Sequence, residues 1–304
     1  MTIVPFDRIR DYYQFMKLMH GAFNWAESPK QVARVRRLDP RFRDPFGFAL
    51  QEGTRLLGFV GTVDIPMKTM AGDIEMVGGI HSVATDPDAA RSGVATRLMD
   101  HSHRFFRRRG YRFSFLCTSR SLVAHGLYER LGYTDIRSLE QYPRAYRAFP
   151  ERRGKTRRSG RKPDFRLIQR IFTGALRDRT GCAVRGPDWP RALSETRDLK
   201  PENIITHPQG YAFTSTWSKT LFIEEWQALT RAACESIYDR LELRRMSAWI
   251  VGQVDGEPLK SFLAERDFGF AYGRYGVRMV KPLGRANFDA VFGDRFSFAP
   301  LDSF

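Results

Sequence analysis

Asp86–Met99, DPDAARSGVATRLM, joins an apolar, strand-like run ending at Thr85 to a long helical pattern, and the reading of this junction decides the fold. It holds one glycine, Gly93, where phosphate loops often hold two or three. A short bend through Pro87, with a helix beginning around Ser92 and Gly93, aims unpaired backbone N–H groups at one spot, and the helix dipole makes that spot attractive to an anion. Gly93 and Ala95 keep the surface clear of bulky side chains. A small-residue helix start is also a common structural turn, and the spacing fits neither GxxxxGK[ST] nor GxGxxG. The flanking sequence has to decide between the two.

Upstream, Phe46–Val63 splits into two apolar runs around QEG and reads as a hairpin turning at Gly53, and IEMVGGIHSVATD continues the sheet up to the junction. Downstream, Val94, Leu98, Phe105 and Phe106 recur near helical spacing, and RRRG closes that helix with cations at its negative end and a glycine to stop it. YRFSFLCTS reads as another strand, LVAHGLYERLGY as a short helix stopped by Gly132, and a strand follows from Tyr133. Sheet, helix, strand, helix, strand within about 140 residues is the order of an α/β or α+β domain.

A composition break follows at ERRGKTRRSGRKP, Glu151–Pro163. It reads first as a solvated linker, residues 149–164, between domains at 1–148 and 165–304; an electrostatic contact for an anionic partner is the second reading. Beyond it lie a helix from Phe165 to about Arg179, a hairpin in GYAFTSTWSKTLFIEEW, a helix in TRAACESIYDRLEL, and strands in SAWIVGQV and YGVRMVKPL. The second half thus repeats roughly the element order of the first, without its glycine turn.

The chain has 304 residues, of which 42% are hydrophobic, enough for two cored domains and too apolar for a disordered chain. A formal net charge of +16 predicts a surface field that attracts anions: nucleic acid, an anionic membrane, acidic protein or a polyphosphate cofactor. Cys117, Cys182 and Cys234 are far apart and form no CxxC pair, so neither a disulfide framework nor a zinc site is indicated, and a reducing cytoplasm is expected. The amino terminus lacks a signal-peptide pattern, and no apolar run of about 18 residues is present to cross a bilayer, so a soluble protein is expected.

The pairing of VATDPDAARSGVATRL with HGLYERLGY resembles the GCN5-related N-acetyltransferase (GNAT) superfamily over residues 40–140. The acetyl-CoA motif [QR]xxGx[GA] maps to Ala90–Ala95, with Ala90 departing from Gln or Arg, and LYxxLG[FY] maps to Leu127–Tyr133. The resemblance implies a mixed, mostly antiparallel sheet flanked by helices that binds acetyl-CoA as co-substrate, without a metal. It implies that the backbone of Arg91, Ser92, Gly93, Val94, Ala95 and Thr96 binds the pyrophosphate, and that the strand Val83, Ala84 and Thr85 pairs with the pantetheine arm. Ser121 stands where an Asn often contacts the pantetheine, and with Ser119 it offers hydroxyls for similar hydrogen bonds. Tyr128 matches the family's acid, a phenol able to protonate the departing thiolate.

An amine must lose a proton before attack, and the position of the family's glutamate is Gly79, leaving His81 or Glu75 nearby. The second half, with Arg185, Trp189, Gly210, Tyr211 and Glu225, is similar to the central domain of the enhanced intracellular survival (Eis) acetyltransferases, which implies a second, degenerate GNAT fold. In that group a terminal carboxylate acts as base, which implies Phe304, with Phe296 and Phe298 anchoring the tail. The expected reaction is direct transfer of acetyl to a primary amine, on a small molecule or a lysine-containing peptide. Two other readings stay open: a nucleic-acid- or ribosome-associated acetylating enzyme, favoured by the basic run but by no recognition motif, and a non-catalytic CoA-binding regulatory module. No membrane partner is expected, and the resemblance allows a homo-oligomer.

Overall fold

A computed structural model describes residues 1–302 apart from Ala26, Arg43, residues 146–162, Asp188, Arg191 and residues 194–198. Most of the basic run expected as a linker, and Phe304, lie outside the described residues. The chain forms two compact units. The first holds Met1–Arg137 and Tyr275–Asp294, and the second holds Ser138–Arg274 and residues 295–302. This division differs from the expected bounds of 1–148 and 165–304 in one strand of the first half and in a strand and the short helix Phe288–Phe292 of the second. Both strands are placed by their pairing.

In the first unit, β1 (Thr2–Pro5), β2 (Gly47–Glu52), β3 (Arg55–Lys68) and β4 (Ile74–Thr85) form an antiparallel meander. β5 (Phe113–Thr118) then joins β4 in parallel. The sheet closes with β11 (Ala271–Pro282), whose residues Val277–Pro282 pair antiparallel with β5. β11 joins this unit because Val277 and Met279 bury their side chains in its core beside Leu98, Leu116 and Tyr133. The hairpin turn at Gly53, the helix α3 (Val94–Arg108) and the helix α4 (Val123–Arg130) stand where the sequence puts them. α3 presents Val94, Leu98, Met99 and Phe106 to the sheet and carries Arg107 and Arg108 at its last turn, a stripe at helical spacing with cations at the negative end.

Two further helices precede the hairpin: α1 (Tyr12–Phe23), capped by Asp11, and α2 (Pro29–Leu38), started by a Ser28–Gln31 capping box. Phe15 of α1 meets Phe6 and Phe59 edge to face, which fixes that helix on the sheet.

The second unit repeats the scheme. β7 (Ile204–His207), β8 (Gly210–Trp217) and β9 (Thr220–Ala228) form the meander, and β10 (Ala248–Val251) joins β9 in parallel. Tyr142–Ala145 of β6 (Thr134–Ala145) close it antiparallel to β10. Helices α5 (Phe165–Ala175), α6 (Arg231–Glu242) and α7 (Glu257–Ala264) complete it; α5 is one turn shorter than the sequence pattern suggests. Trp226, Trp249, Ile237, Leu241 and Phe262 fill one of its cores.

Candidate active site

The register of β3 against β4 slips once. Phe59 faces Ala84 but Gly61 faces His81, so β4 holds one extra residue at Ser82–Val83, and Ser82 takes φ 48°. Such a bulge bends its strand. Pairing of β4 with β5 ends at Ile80–Leu116, although β4 runs on to Thr85 and β5 to Thr118. Beyond the bulge the two strands splay, and among the described residues no strand covers the β5-facing edge of Val83, Ala84 and Thr85. These are the residues assigned to the pantetheine arm.

The junction follows directly. The Asp86 carboxylate accepts from the Asp88 N–H at 3.0 Å, and the Arg55 guanidinium donates to Asp86 at 3.1 Å and to Asp88 at 3.4 Å. A 3-10 turn, Pro87–Ala89, leads to Arg91 at φ 63° and Gly93 at φ 80°, with the Ser92 hydroxyl donating back to the Ala89 carbonyl at 2.6 Å. At Gly93 the left-handed backbone favours a residue without Cβ. α3 starts at Val94 without a side-chain cap, so no side chain consumes its first N–H groups, and the positive end of the helix faces outward. Arg91, Ser92 and Gly93 are exposed beside it.

The Tyr128 ring is buried on α4, in the same cluster as Ile80 and Leu116, the last paired residues before the splay. Among the described residues its hydroxyl has no hydrogen-bond partner, and burial pushes its pKa up to about 12. It therefore holds its proton across the physiological range. Behind it, Ser114 donates to the Gly78 carbonyl at 3.1 Å and lies 2.7 Å from the Tyr133 hydroxyl, which lies 2.9 Å from His103 Nε2. With Ser114 donating onward, Tyr133 donates to Ser114 and His103 Nε2–H donates to Tyr133. Burial, with Lys281 and two arginines, lowers the His103 pKa to about 3, so the imidazole stays neutral. The chain of hydrogen bonds ties α3 to β4 and β5 at Gly78–Ser114, the first pair of their register.

Ser119 is buried and its hydroxyl lies 2.8 Å from that of Ser121, which is exposed at the approach to α4. The Arg120 guanidinium donates to Asp135 at 2.7 Å, and His125 lies 2.9 Å from the same carboxylate.

His81 is buried edge-on to Phe42 and Phe46, with Nδ1 3.0 Å from the Ser82 hydroxyl. A Cβ on Gly61 would come within 2.2 Å of its ring, so the glycine is what admits it. Burial lowers its pKa to about 4, which leaves a neutral imidazole and a weak base for an ammonium group. Glu75, the alternative, is bound by the Arg112 guanidinium at 3.0 and 2.6 Å near the start of β4. Sequence reasoning missed Glu27, between α1 and α2, whose pKa is raised by burial and whose carbonyl accepts from the Tyr12 hydroxyl at 3.1 Å. Only the unrecognised helices on either side would have flagged it.

In the second unit, four of the residues singled out from the sequence, Arg185, Trp189, Tyr211 and Glu225, meet in one buried cluster, while Gly210 lies against Ile237 and Ala233. Arg185 binds Glu225 at 2.8 and 2.6 Å and Asp302 at 2.9 and 3.0 Å, and its guanidinium lies 3.9 Å from the Trp189 ring centroid. Tyr211 donates to Glu225 at 2.5 Å. Phe296 and Phe298 are buried, and the Ser297 hydroxyl donates to Asp255 at 2.7 Å, so the tail is anchored up to Asp302.

Among the described residues no group of three or more His, Cys, Asp or Glu is placed to hold a metal, and no helix is long and apolar enough to cross a membrane. No protein of curated function matches the chain in sequence. Solved structures share the fold. A GCN5-related N-acetyltransferase from Kribbella flavida is 16% identical over 93% of this chain and 72% of its own, with a TM-score of 0.66. Eis1 from Mycobacterium abscessus is 16% identical over 93% and 74%, with a TM-score of 0.61. The N-myristoyltransferase of Saccharomyces cerevisiae, solved with bound myristoyl-CoA, is 10% identical over 100% and 84%, with a TM-score of 0.57. Residues 8–136, which contain the splay, the junction and Tyr128, match the family model described as an acetyltransferase (GNAT) domain. That match lies within the first unit and covers less than half of the chain, and it likens residues 8–136 to a GNAT acetyltransferase domain.

Proposed function

We propose that this protein transfers acetyl from acetyl-CoA to a primary amine by direct attack in a ternary complex. The observation that carries the reading is the splay of β4 from β5 beyond Ile80, followed at once by an uncapped helix start. The open edge at Val83–Thr85 offers main-chain groups to the two amides of a pantetheine arm, as one more strand would. The junction from Arg91 to Thr96 offers N–H groups and the helix dipole to the pyrophosphate. Arg55 offsets the charge of Asp86 and Asp88 beside that anion.

The amine nitrogen attacks the thioester carbonyl carbon. Collapse of the tetrahedral intermediate breaks the C–S bond, the Tyr128 hydroxyl gives its proton to the departing thiolate, and the proton that the nitrogen sheds on becoming an amide restores the phenol. The amine enters as its free base, with water taking its proton, since His81 is too weakly basic. The terminal carboxylate implied at Phe304 is the competing acceptor, and removing Phe304 without loss of turnover eliminates it. The acceptor is a small-molecule amine or a lysine side chain.

The test is release of CoA thiol in the presence of polyamines, aminoglycosides and lysine peptides. Tyr128→Phe is expected to lower kcat by about 10²–10⁴-fold while leaving acetyl-CoA binding unchanged. An unchanged kcat removes Tyr128 as the acid, and no acetylated amine with any acceptor removes the enzyme reading.

A further inference from the structure

The charge excess is far larger than one cofactor needs, and part of it is concentrated on one face. The outward positions of the C-terminal half of α3 are Arg104, Arg107 and Arg108, all exposed. Among the described residues none of the three has an ion-pair partner. Arg109, by contrast, is held by Asp64 at 2.9 Å. The groups around the three arginines are His101 and His103 on the same helix, Lys281 on β11, and Asp100, the one acid. Lys281 spends its ammonium on the Leu131 carbonyl at the end of α4. The field of the arginines is felt inward: Arg104 and Arg108 help lower the pKa of His101, and Arg107 that of Lys281. The helix dipole accounts for cations in the last turn, at Arg107 and Arg108, but not for Arg104.

We propose that this face docks the phosphodiester backbone of a nucleic acid. Three observations choose that occupant. The unpaired cations of the face are all guanidinium groups, whose fork matches phosphate oxygens. Arg104 and Arg108 stand one turn apart, about 6 Å along the helix axis, so one strand presents successive phosphates to both. None of the large exposed apolar side chains lies on α3, so the face has nothing to insert into a lipid surface. The face is separate from the junction at Arg91–Thr96, two turns away on the same helix, and the proposal does not depend on acetyl transfer.

The experiment is fluorescence anisotropy of labelled 20-nucleotide single-stranded RNA and DNA with the full chain, across a salt series. Two triple variants are compared: Arg104→Gln, Arg107→Gln, Arg108→Gln, and a control removing equal charge elsewhere, Arg8→Gln, Arg10→Gln, Arg37→Gln. The α3 triple is expected to weaken binding about tenfold or more at low salt and to flatten the log–log salt slope by about 2, with the control near the parent chain; whichever oligonucleotide binds tighter identifies the source. Thermal unfolding midpoints confirm that both triples are folded. The proposal is overturned if neither oligonucleotide binds, if the two triples weaken binding equally, or if polyglutamate or phosphatidylserine vesicles compete as well as unlabelled RNA or DNA.

Discussion

The two units use the same scaffold and end in opposite states. Each has a meander whose last strand carries a bulge: at Ser82–Val83 in β4, and at Glu224 in β9, where Phe213 faces Glu225 but Thr214 faces Ile223. Each bulged strand then outruns its parallel neighbour, β4 past Ile80 and β9 past Ile223. In the first unit the next helix starts uncapped behind two left-handed residues, Arg91 and Gly93. In the second, the Thr230 hydroxyl accepts from the Ala233 N–H at 3.3 Å and the Leu229 N–H is taken by the Gln209 carbonyl. Just past the bulge, β4 has Val83 and Ala84, whereas β9 has Glu225, committed to Arg185 and Tyr211. The first unit leaves the polar groups at its splay unspent, and the second unit has spent its own.

The largest expected effect breaks the satisfied side of this contrast. Arg185→Ala strands two buried carboxylates, Glu225 and Asp302, and is expected to destabilise the second unit by about 3–5 kcal/mol, read as a lower urea midpoint; a shift smaller than 1 kcal/mol would show the cluster to be dispensable.

Acid should separate the units next. His81 and His103 have pKa values lowered to about 4 and about 3, so the unfolded chain takes up their protons first. Their stabilising contribution is complete above about pH 6.5 and is lost as pH falls, by about 1.4 kcal/mol per pH unit for each. Amide exchange at pH 5 should show the first unit losing protection ahead of the second, whose single described histidine, His207, lies outside the buried core. Equal loss in both units contradicts this assignment.

The smallest effect is Thr230→Ala, which removes one cap and is expected to cost about 1 kcal/mol in thermal unfolding while leaving turnover as it was. Reduced turnover would mean that the second unit takes part in cofactor binding.

The parts of this contrast legible in the sequence are those written in local patterns. Gly53, Gly93 and Gly132 mark turns that need left-handed backbone, and the α3 stripe marks a face, so the hairpin, α3 and α4 fall where expected. The role of Arg185, Tyr211 and Glu225 was hidden because 40 residues separate Arg185 from Glu225 and only the fold brings them together. The exchange of β6 and β11 between the units was equally hidden, since nothing local in YGVRMVKPL says which sheet it joins. The bulge at Ser82 leaves no sequence signature either, because a serine there has no special need for φ 48°.

The central claim is that one acetyl-CoA binds, at the uncapped helix start of the first unit. Calorimetric titration of the parent chain, Thr230→Ala and Gly93→Val tests it directly. Valine at Gly93 meets no atom within 4 Å from its Cβ but must adopt φ 80°, so it distorts the junction rather than the core. The account predicts one equivalent bound by the parent chain and by Thr230→Ala, and binding weakened by about 100-fold or lost in a folded Gly93→Val, as expected when several charge-assisted hydrogen bonds are misplaced. Undiminished binding by Gly93→Val, or two equivalents on the parent chain, would contradict it.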